Sequence, residues 1–165
     1  MSKQKGKPES TGKELEEKVL FVNRCAKVVS GGRKFSFSAL ILVGDGKGHV
    51  GCGFAKANEL SDAIRKGGEA ARKNVISFEM EGTTIPHEVV VKADGVHLLL
   101  KPAPKGTGIV AGSRVRSVLE AAGVHDVVAK NLGSSNPINQ VRAIIMALKS
   151  LRSREEIARR RSVNA

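Results

Sequence analysis

The segment from residue 34 to residue 43 constrains the fold most, because every second side chain along it is apolar. An apolar period of two is the pattern of a β-strand that buries one face. The polar residues Lys34, Ser36 and Ser38 occupy the other face. We therefore predict a strand whose core face carries Phe35, Phe37, Ala39, Ile41 and Val43.

Two further strands and a helix complete the first half of the chain. Apolar patterning predicts strands at residues 18–29 and 49–57, and the sequence SGGR at residues 30–33 predicts a flexible loop. A helix begins near residues 58–61, where apolar residues recur at helical spacing. We predict three antiparallel strands and one helix, whose buried side carries Leu60, Ala63, Ile64, Gly67 and Ala71.

The dipeptide Asp94-Gly95 predicts a β-hairpin in the second half, because both residue types tolerate the positive φ of a tight turn. The flanking strands are expected at residues 89–93 and 96–100. Capping and stop signals then define the later elements. These are a helix with Val115, Val118, Leu119 and Ala122 on its buried side, ended by Gly123, a strand at residues 126–132, and a helix from Asn136 to Leu151.

The chain has 165 residues, which is enough for one medium domain or two small ones. Its mixture of strands and helices predicts an α/β (α+β) fold. The Lys-, Ser- and Gly-rich segment 1–14 predicts a disordered basic tail, and EGTT at residues 81–84 predicts a boundary. We expect two ordered units, residues 15–80 and 84–151, and a basic tail or short helix at residues 152–165.

The net charge of +12 and the pI of about 10.1 indicate a polyanionic partner, because such a charge destabilises a compact fold by self-repulsion. Lys and Arg displace condensed counterions from phosphates, so nucleic acid is the first candidate. The alternative is a basic protein that is merely soluble. No secretory signal and no apolar stretch of about 20 residues is visible, which favours a cytosolic protein without a membrane role.

Basic residues are concentrated in the first half, around a glycine pair and on the predicted helix. Glycine lets the backbone approach phosphates closely, and clustered cations make a broad footprint on nucleic acid. The chain has no Trp, no Tyr and five Phe, so recognition of folded RNA by shape and phosphate contacts is favoured over base stacking. The predicted RNA-binding residues are Arg24, Lys27, Ser30, Gly31, Gly32, Arg33, Lys34, Lys47, Lys56, Arg65, Lys66, Arg72 and Lys73.

Two glycine-rich segments match nucleotide-binding fingerprints in spacing. The first, residues 46–51, precedes a strand rather than a helix, so its glycines are expected to form a turn and permit close packing. The second, residues 106–111, lies between a strand and a helix, and Asp126 follows where a ribose-binding acid would lie. It fits either the nucleotide site of an enzyme or an RNA-phosphate cradle. The cradle residues would be Gly106, Thr107 and Gly108.

The sequence contains no catalytic or metal-binding constellation. Its four histidines, at positions 49, 87, 97 and 125, lack the spacing of metal-ligand pairs. Ser134 and Ser135 precede a predicted helix, where capping explains them. Cys25 and Cys52 lie in predicted strands and are expected to be small buried hydrophobes. We predict a non-enzymatic protein with no cofactor, no metal and no small-molecule substrate.

Several separated motifs together resemble the bacterial family of small-subunit ribosomal protein five. The resemblance runs from about residue 15 to residue 151, and the motifs occur in the order of the family. They are Arg24, VVSGGRKFSF at residues 28–37, VGDGKG at 43–48, VGCG at 50–53, GTGIVAG at 106–112, AGVHD at 122–126 and GSSNPIN at 133–139.

The resemblance implies a first unit similar to a double-stranded-RNA-binding domain and a second, two-layer α/β unit with a left-handed βαβ crossover. It implies binding to 16S ribosomal RNA, contacts with small-subunit ribosomal proteins four and eight, and a place along the messenger RNA entry path. Support of assembly and of translational accuracy near the decoding region follows from the same resemblance, as does a cytoplasmic, ribosomal location. Cys25, Ala26 and Lys27 match the family's region beside the spectinomycin site.

Overall fold

The computed structural model describes residues 15–163, which form eight strands and four helices. The predicted tail at residues 1–14 lies outside the described residues. The first sheet consists of β1 (Glu16–Val29), β2 (Gly32–Gly44), β3 (His49–Ala57) and β4 (Ile76–Ser77), which are neighbours in that order. The helix α1 (Leu60–Lys73) follows β3 in the chain.

The predicted arrangement of three antiparallel strands and one helix in the first half is confirmed, and β4 adds a short strand at the edge. A two-residue turn, Ser30-Gly31, joins β1 to β2 in place of the flexible loop that we expected. Val29 pairs with Gly32, so strand pairing continues up to the turn. Gly32 has a φ of 128°, which L side chains rarely adopt, and this explains the glycine.

The helix α1 packs on one face of the first sheet. Ala39, Ile41 and Val43 on β2 form a small buried cluster with Ala63 and Ala71 on α1. The predicted alternation along β2 is therefore confirmed for these three positions. The predicted buried side of the helix is confirmed at Ala63, Gly67 and Ala71, but the prediction that Leu60 is buried is wrong, because it lies at the start of the helix and is 40% exposed.

Glycines of β3 bring α1 unusually close to the sheet. A Cβ built on Gly53 would lie 2.1 Å from the carbonyl oxygen of Gly67, and one built on Gly51 would lie 2.4 Å from that of Ala71. Gly46, at the turn before β3, has a φ of 65°. The glycine-rich segment at residues 46–51 therefore serves turn formation and close packing, as predicted.

The second sheet consists of β5 (Val89–Ala93), β6 (Val96–Pro102), β7 (Ile109–Val110) and β8 (Val127–Asn131), with spatial order β5-β6-β8-β7. The helices α2 (Ser113–Ala122) and α3 (Pro137–Ser150) belong to this half. Asp94 and Gly95 adopt φ values of 48° and 78°, so the predicted hairpin between β5 and β6 is confirmed.

The strand β7 was not predicted, and it gives the second sheet its parallel pair. β7 pairs in parallel with β8, and α2 connects the two strands as a βαβ crossover. Gly123 ends α2 with a φ of 88°, as its position after the apolar stripe predicted. Asn136 caps α3, because its Oδ1 accepts a hydrogen bond from the N–H of Ile138 at 3.1 Å.

The two halves share one hydrophobic core. Leu40, Leu42 and Val50 of the first sheet lie in the same buried cluster as the apolar residues of β6, α2 and α3. Backbone hydrogen bonds reinforce the contact, since the N–H of Gly46 donates to the carbonyl of Ala121 at 3.0 Å. The first sheet is therefore sandwiched between α1 on one face and the second half on the other.

The described chain ends in a helix, α4 (Arg154–Val163), which agrees with the short helix expected after residue 151. Acidic residues lie in its first turn and basic residues in its last turn, and Arg160 pairs with Glu156. This distribution complements the helix dipole. No helix in the described part of the chain is long and apolar enough to cross a membrane.

Candidate nucleic-acid interface

Residues 25–36 form a two-stranded ribbon that extends beyond the rest of the first sheet. The pairing of β2 with β3 stops at Phe37 and Ala57, whereas β1 and β2 remain paired for five more residue pairs, up to Val29 and Gly32. At about 3.4 Å per residue, these pairs project roughly 17 Å. We call residues 25–36 the ribbon.

Lysines line one face of the ribbon and of the adjoining sheet. Lys27 and Lys34 are direct cross-strand partners, and such partners project from the same face of an antiparallel pair. Lys56 lies on that face as well, because it is the partner of Ser38, an even number of residues from Lys34. Within residues 15–163, no ion pair neutralises any of these three exposed lysines. We call this surface the lysine face.

The other face of the ribbon carries arginines and an exposed aromatic ring. The Cζ atom of Arg24 lies 3.7 Å from the centroid of the Phe35 ring, which is a cation–π contact. Arg33 belongs to the same face and is the partner of Val28. The prediction that Phe35 lies in the core is wrong, because β3 ends short of it and the ring is 42% exposed. We call this surface the arginine face.

The segment that resembles the spectinomycin-site region, residues 25–27, has side chains on both faces of the ribbon, because side chains alternate along a strand. Cys25 lies on the lysine face with Lys27 and is half-buried, whereas Ala26 is the partner of Phe35 on the arginine face. The segment therefore presents two different surfaces. Between the two faces, the exposed tip of the ribbon is formed by Ser30, Gly31 and Gly32.

Ion pairs already engage some of the basic residues of α1. The guanidinium of Arg65 lies 3.3 Å from Asp62 and 3.0 Å from Glu69, and that of Arg72 lies 3.1 Å from Glu17. Exposed pairs of this kind are weak, so a phosphate can compete for either arginine. The α1 cations without an ion pair in the region that the structure describes are Lys66 and Lys73.

Lys47 lies far from the other predicted RNA-binding residues. It follows β2, whose 13 residues separate it from the ribbon tip by about 40 Å. Its N–H donates to Oδ1 of Asp45 at 2.8 Å in the turn before β3. Burial raises the pKa of Asp45, but the backbone donors of Lys47 and His49 and the nearby His49 ring lower it more, so the pKa lies below its usual value.

The predicted phosphate cradle is filled by a carboxylate of the protein itself. The N–H groups of Gly106 and Gly108 each donate to Oδ1 of Asp126 at 3.0 Å. The N–H of Thr107 donates to the carbonyl of Pro104 at 3.3 Å. Since these three donors have internal acceptors, they are not free for an RNA phosphate or a nucleotide, and both interpretations of this loop are corrected.

Asp126 is a buried acid whose structural role the sequence did not reveal. The hydroxyl of Thr83 donates to its Oδ2 at 2.7 Å. This bond, followed by the N–H bond from Gly108, holds the pKa of Asp126 below its usual value. Its spacing from the glycines was visible in the sequence, but its position against the turn at Thr83 depends on the folded chain.

Among the residues that the structure describes, none covers one face of the second sheet, which we call its open face. Val89, Leu98 and Val127 are buried against the helices, so the alternate residues of the same strands project from the opposite face. That face is both apolar and basic, and no pattern in the sequence predicted it. Its residues are Val90, Leu99, Val110 and Val128, with Lys92, Lys101 and Lys130 around them.

Family models cover most of the described chain. Residues 15–79 match the model described as ribosomal protein S5, N-terminal domain, and residues 91–161 match ribosomal protein S5, C-terminal domain. The chain belongs to the ribosomal protein S5 family. The two matched segments agree with the two-unit α+β fold described above.

Curated relatives in the S5 family resemble the chain over nearly its whole length. The small ribosomal subunit protein uS5 of Protochlamydia amoebophila is 70% identical over 161 residues, which cover 98% of this chain and 95% of the relative. The uS5 proteins of Chlamydia felis and Chlamydia abortus are 70% and 71% identical over 151 residues. Each of those matches covers 91% of this chain and 92% of the relative.

Family membership makes the chain a structural protein of the small ribosomal subunit that takes part in translation, rather than an enzyme. Members of the S5 family generally bind RNA. As a ribosomal protein, the chain is part of the cytoplasmic ribosome. Within residues 15–163, no cluster of three His, Cys, Asp or Glu side chains could hold a metal ion.

Proposed function

We propose that the chain binds 16S ribosomal RNA mainly through the ribbon and the lysine face. In this role it supports subunit assembly and translational accuracy near the decoding region and the messenger RNA entry path. The remaining predicted RNA-binding residues would add phosphate contacts around this surface. Among the described residues, Lys66 and Lys73 form no ion pair, so a contact with phosphate would not disrupt one.

The observation that carries this proposal is the direct pairing of Lys27 with Lys34. Like charges opposite each other on an antiparallel pair destabilise it. A chain with a net charge of +12 has no general need for two more adjacent cations on a projecting ribbon. Phosphates between the two lysines would turn this repulsion into attraction and release counterions.

Salt dependence of RNA binding tests the proposal. The double variant Arg33→Ala/Lys34→Ala should weaken binding to 16S ribosomal RNA and reduce the slope of log affinity against log salt by about one unit per lost phosphate contact. Lys92→Ala/Lys130→Ala is the matched control, because it removes the same charge from the open face of the second sheet. Equal slopes for both double variants would refute the proposed role of the ribbon.

The second half is proposed to make mainly protein contacts, with small-subunit ribosomal proteins four and eight as its partners. Support comes from the open face of the second sheet, where exposed Val90, Val110 and Val128 form an apolar surface. Exposed apolar surface of this kind usually marks a protein contact. The variant Val128→Glu should lower co-purification with one of these proteins, and unchanged co-purification with both would exclude this face.

The segment Cys25–Lys27 is proposed to lie beside the spectinomycin site of the assembled subunit, as the family resemblance implies. Its position in the ribbon agrees with this, because the ribbon is the part that would enter the RNA. Lys27→Glu should change the spectinomycin concentration that inhibits translation in reconstituted ribosomes. The variant Lys149→Glu makes the same charge change at an exposed position on α3, outside both the ribbon and the open face of the second sheet, and should leave that concentration unaltered.

A further inference from the structure

The arginine face holds apolar surface that the fold does not use. Phe35 is 42% exposed and Val28 is 74% exposed, although both lie in a regular strand pair. Phe37, two residues along the same strand face, instead packs against the buried cluster of Ala39 and Ile41. The chain thus buries one aromatic ring where α1 and the sheet provide partners, and leaves the next ring projecting on the ribbon.

The surroundings of Phe35 favour a flat, negatively charged ligand. The guanidinium of Arg24 lies 3.7 Å from the ring centroid, and Arg33 projects from the same face nearer the tip. Aromatic rings and guanidinium planes both stack on nucleic-acid bases, while arginines also bind phosphate. A nucleotide offers a base and a phosphate together, which matches this pairing of groups.

A continuous RNA helix cannot supply a base whose flat face is free to stack on a protein side chain. In A-form RNA the bases are stacked inside the helix, and the surface presents phosphates and 2′-hydroxyls. Only a base that has left the stack, in a bulge, loop or junction, exposes a π face. The lysine face, by contrast, requires only phosphates and accepts a regular helix.

We infer that Phe35 and Arg24 form a stacking platform for one unpaired nucleotide of the RNA that the ribbon binds. The base lies against the platform, and Arg33 contacts the adjoining phosphate. This inference rests on the proposed RNA-binding function and adds that the two faces of the ribbon read different features. The arginine face reads an unstacked base, and the lysine face reads the phosphate backbone.

Two RNA stem-loops test this assignment with the full chain. One carries a bulged 2-aminopurine, and the other carries the same fluorescent base paired in the stem. The unaltered protein should bind the bulged RNA more tightly, by roughly 5- to 150-fold, and change its fluorescence. Phe35→Leu should abolish that preference without altering the salt slope, because stacking on an apolar ring releases no phosphate counterion.

Phe54→Leu is the matched control. Phe54 is 47% exposed, but it lies on the opposite face of the sheet, and among the described residues no arginine lies over its ring. This variant should keep the preference for the bulged RNA. Arg24→Lys retains the charge but loses the planar group, so it should reduce the preference even if Phe35→Leu were to fold poorly.

Two results would overturn the inference: equal affinity of the unaltered protein for both stem-loops, or a full preference retained by both Phe35→Leu and Arg24→Lys. Either result is compatible with RNA binding through the lysine face. Failure of the proposed function would instead appear as an absence of salt-dependent binding to both stem-loops and to 16S ribosomal RNA. The two failures are therefore distinguishable in one set of titrations.

Discussion

Asp126 joins two segments of the chain that are distant in sequence, the turn at Thr83 and the loop that contains Gly106 and Gly108. One carboxylate accepts three hydrogen bonds in a buried position. Hydrogen bonds to an ionised acceptor are roughly twice as strong as those between neutral groups. The same loop would look like an anion site if its acid were not considered, and the carboxylate of Asp126 explains the shape of the loop and the partners of its N–H groups.

Removing this charge should destabilise the protein and reduce its sensitivity to acid. Because the pKa of Asp126 is lower in the folded state, its stabilising contribution is present above the unfolded pKa of about 3.9 and is lost as pH falls through the folded pKa. Asp126→Asn should therefore lower Tm at pH 7 and narrow the difference in Tm between pH 7 and pH 3. Thermal melts followed by circular dichroism measure both effects.

The control for this prediction is Asp62→Asn. Asp62 is an exposed acid on α1 that pairs with Arg65 at 3.3 Å, and such pairs contribute little. The Tm of the Asp62→Asn protein should stay close to that of the unaltered protein at both pH 7 and pH 3. An Asp126→Asn protein with the same pH dependence as this control would contradict the assigned role of the carboxylate.

At the scale of elements, the contact of α1 with β3 depends on the absence of a side chain at Gly53. A Cβ there would lie 2.1 Å from the carbonyl oxygen of Gly67, and a backbone atom cannot move aside as a flexible side chain can. Gly53→Ala should therefore destabilise the fold by about 1–3 kcal/mol or more, as overpacking does. Urea unfolding measures the change.

Gly31→Ala provides a matched control for that substitution. A Cβ built on Gly31 has no heavy atom within 4 Å, and this glycine does not adopt a positive φ. Its free energy of unfolding should change by no more than about 0.5 kcal/mol, as for most surface substitutions. A similar loss of stability in both variants would mean that close packing of α1 is not the cause.

The elements differ in how well the sequence predicted them, and each difference has a physical reason. Local signals sufficed for the Asp94-Gly95 hairpin and for β3, because turn chemistry and strand patterning act within a few residues. The two residues of β7 carry too little pattern to be recognised as a strand. Phe35 has the alternation of a core residue, but its ring stays 42% exposed because β3 ends at Ala57, short of it.

The candidate site shows the same division between local and long-range information. The basic residues around Gly31 were identified from composition, and the paired strands bring Lys27 and Lys34 together as neighbours. The loop with Gly106 was misread because its acceptor, Asp126, is brought to it by the βαβ crossover. Charge clusters are thus visible in a sequence, whereas the partner that occupies a donor group is set by the tertiary fold.

At the scale of the whole molecule, the shared core makes the two halves depend on each other. Each half alone would be near the lower size limit for an independent core. Leu40 and Leu42 of the first sheet are buried in the cluster that also contains residues of α2 and α3. We therefore expect the described chain to unfold in one cooperative transition, although it matches two separate family models.

The variant Leu42→Ala tests this coupling. Leu42 is fully buried in the shared core, so its truncation should lower the free energy of unfolding by about 2–5 kcal/mol. Hydrogen exchange measured by mass spectrometry across a urea series should show the same shift of midpoint in peptides from β2 and from α3. Val90→Ala, on the open face, should change the free energy of unfolding measured from either set of peptides by no more than about 0.5 kcal/mol. If the urea midpoint fell for peptides from β2 but stayed unchanged for peptides from α3, the two halves would be separate folding units. In that case the ribbon would be carried by a domain whose stability is independent of the second half.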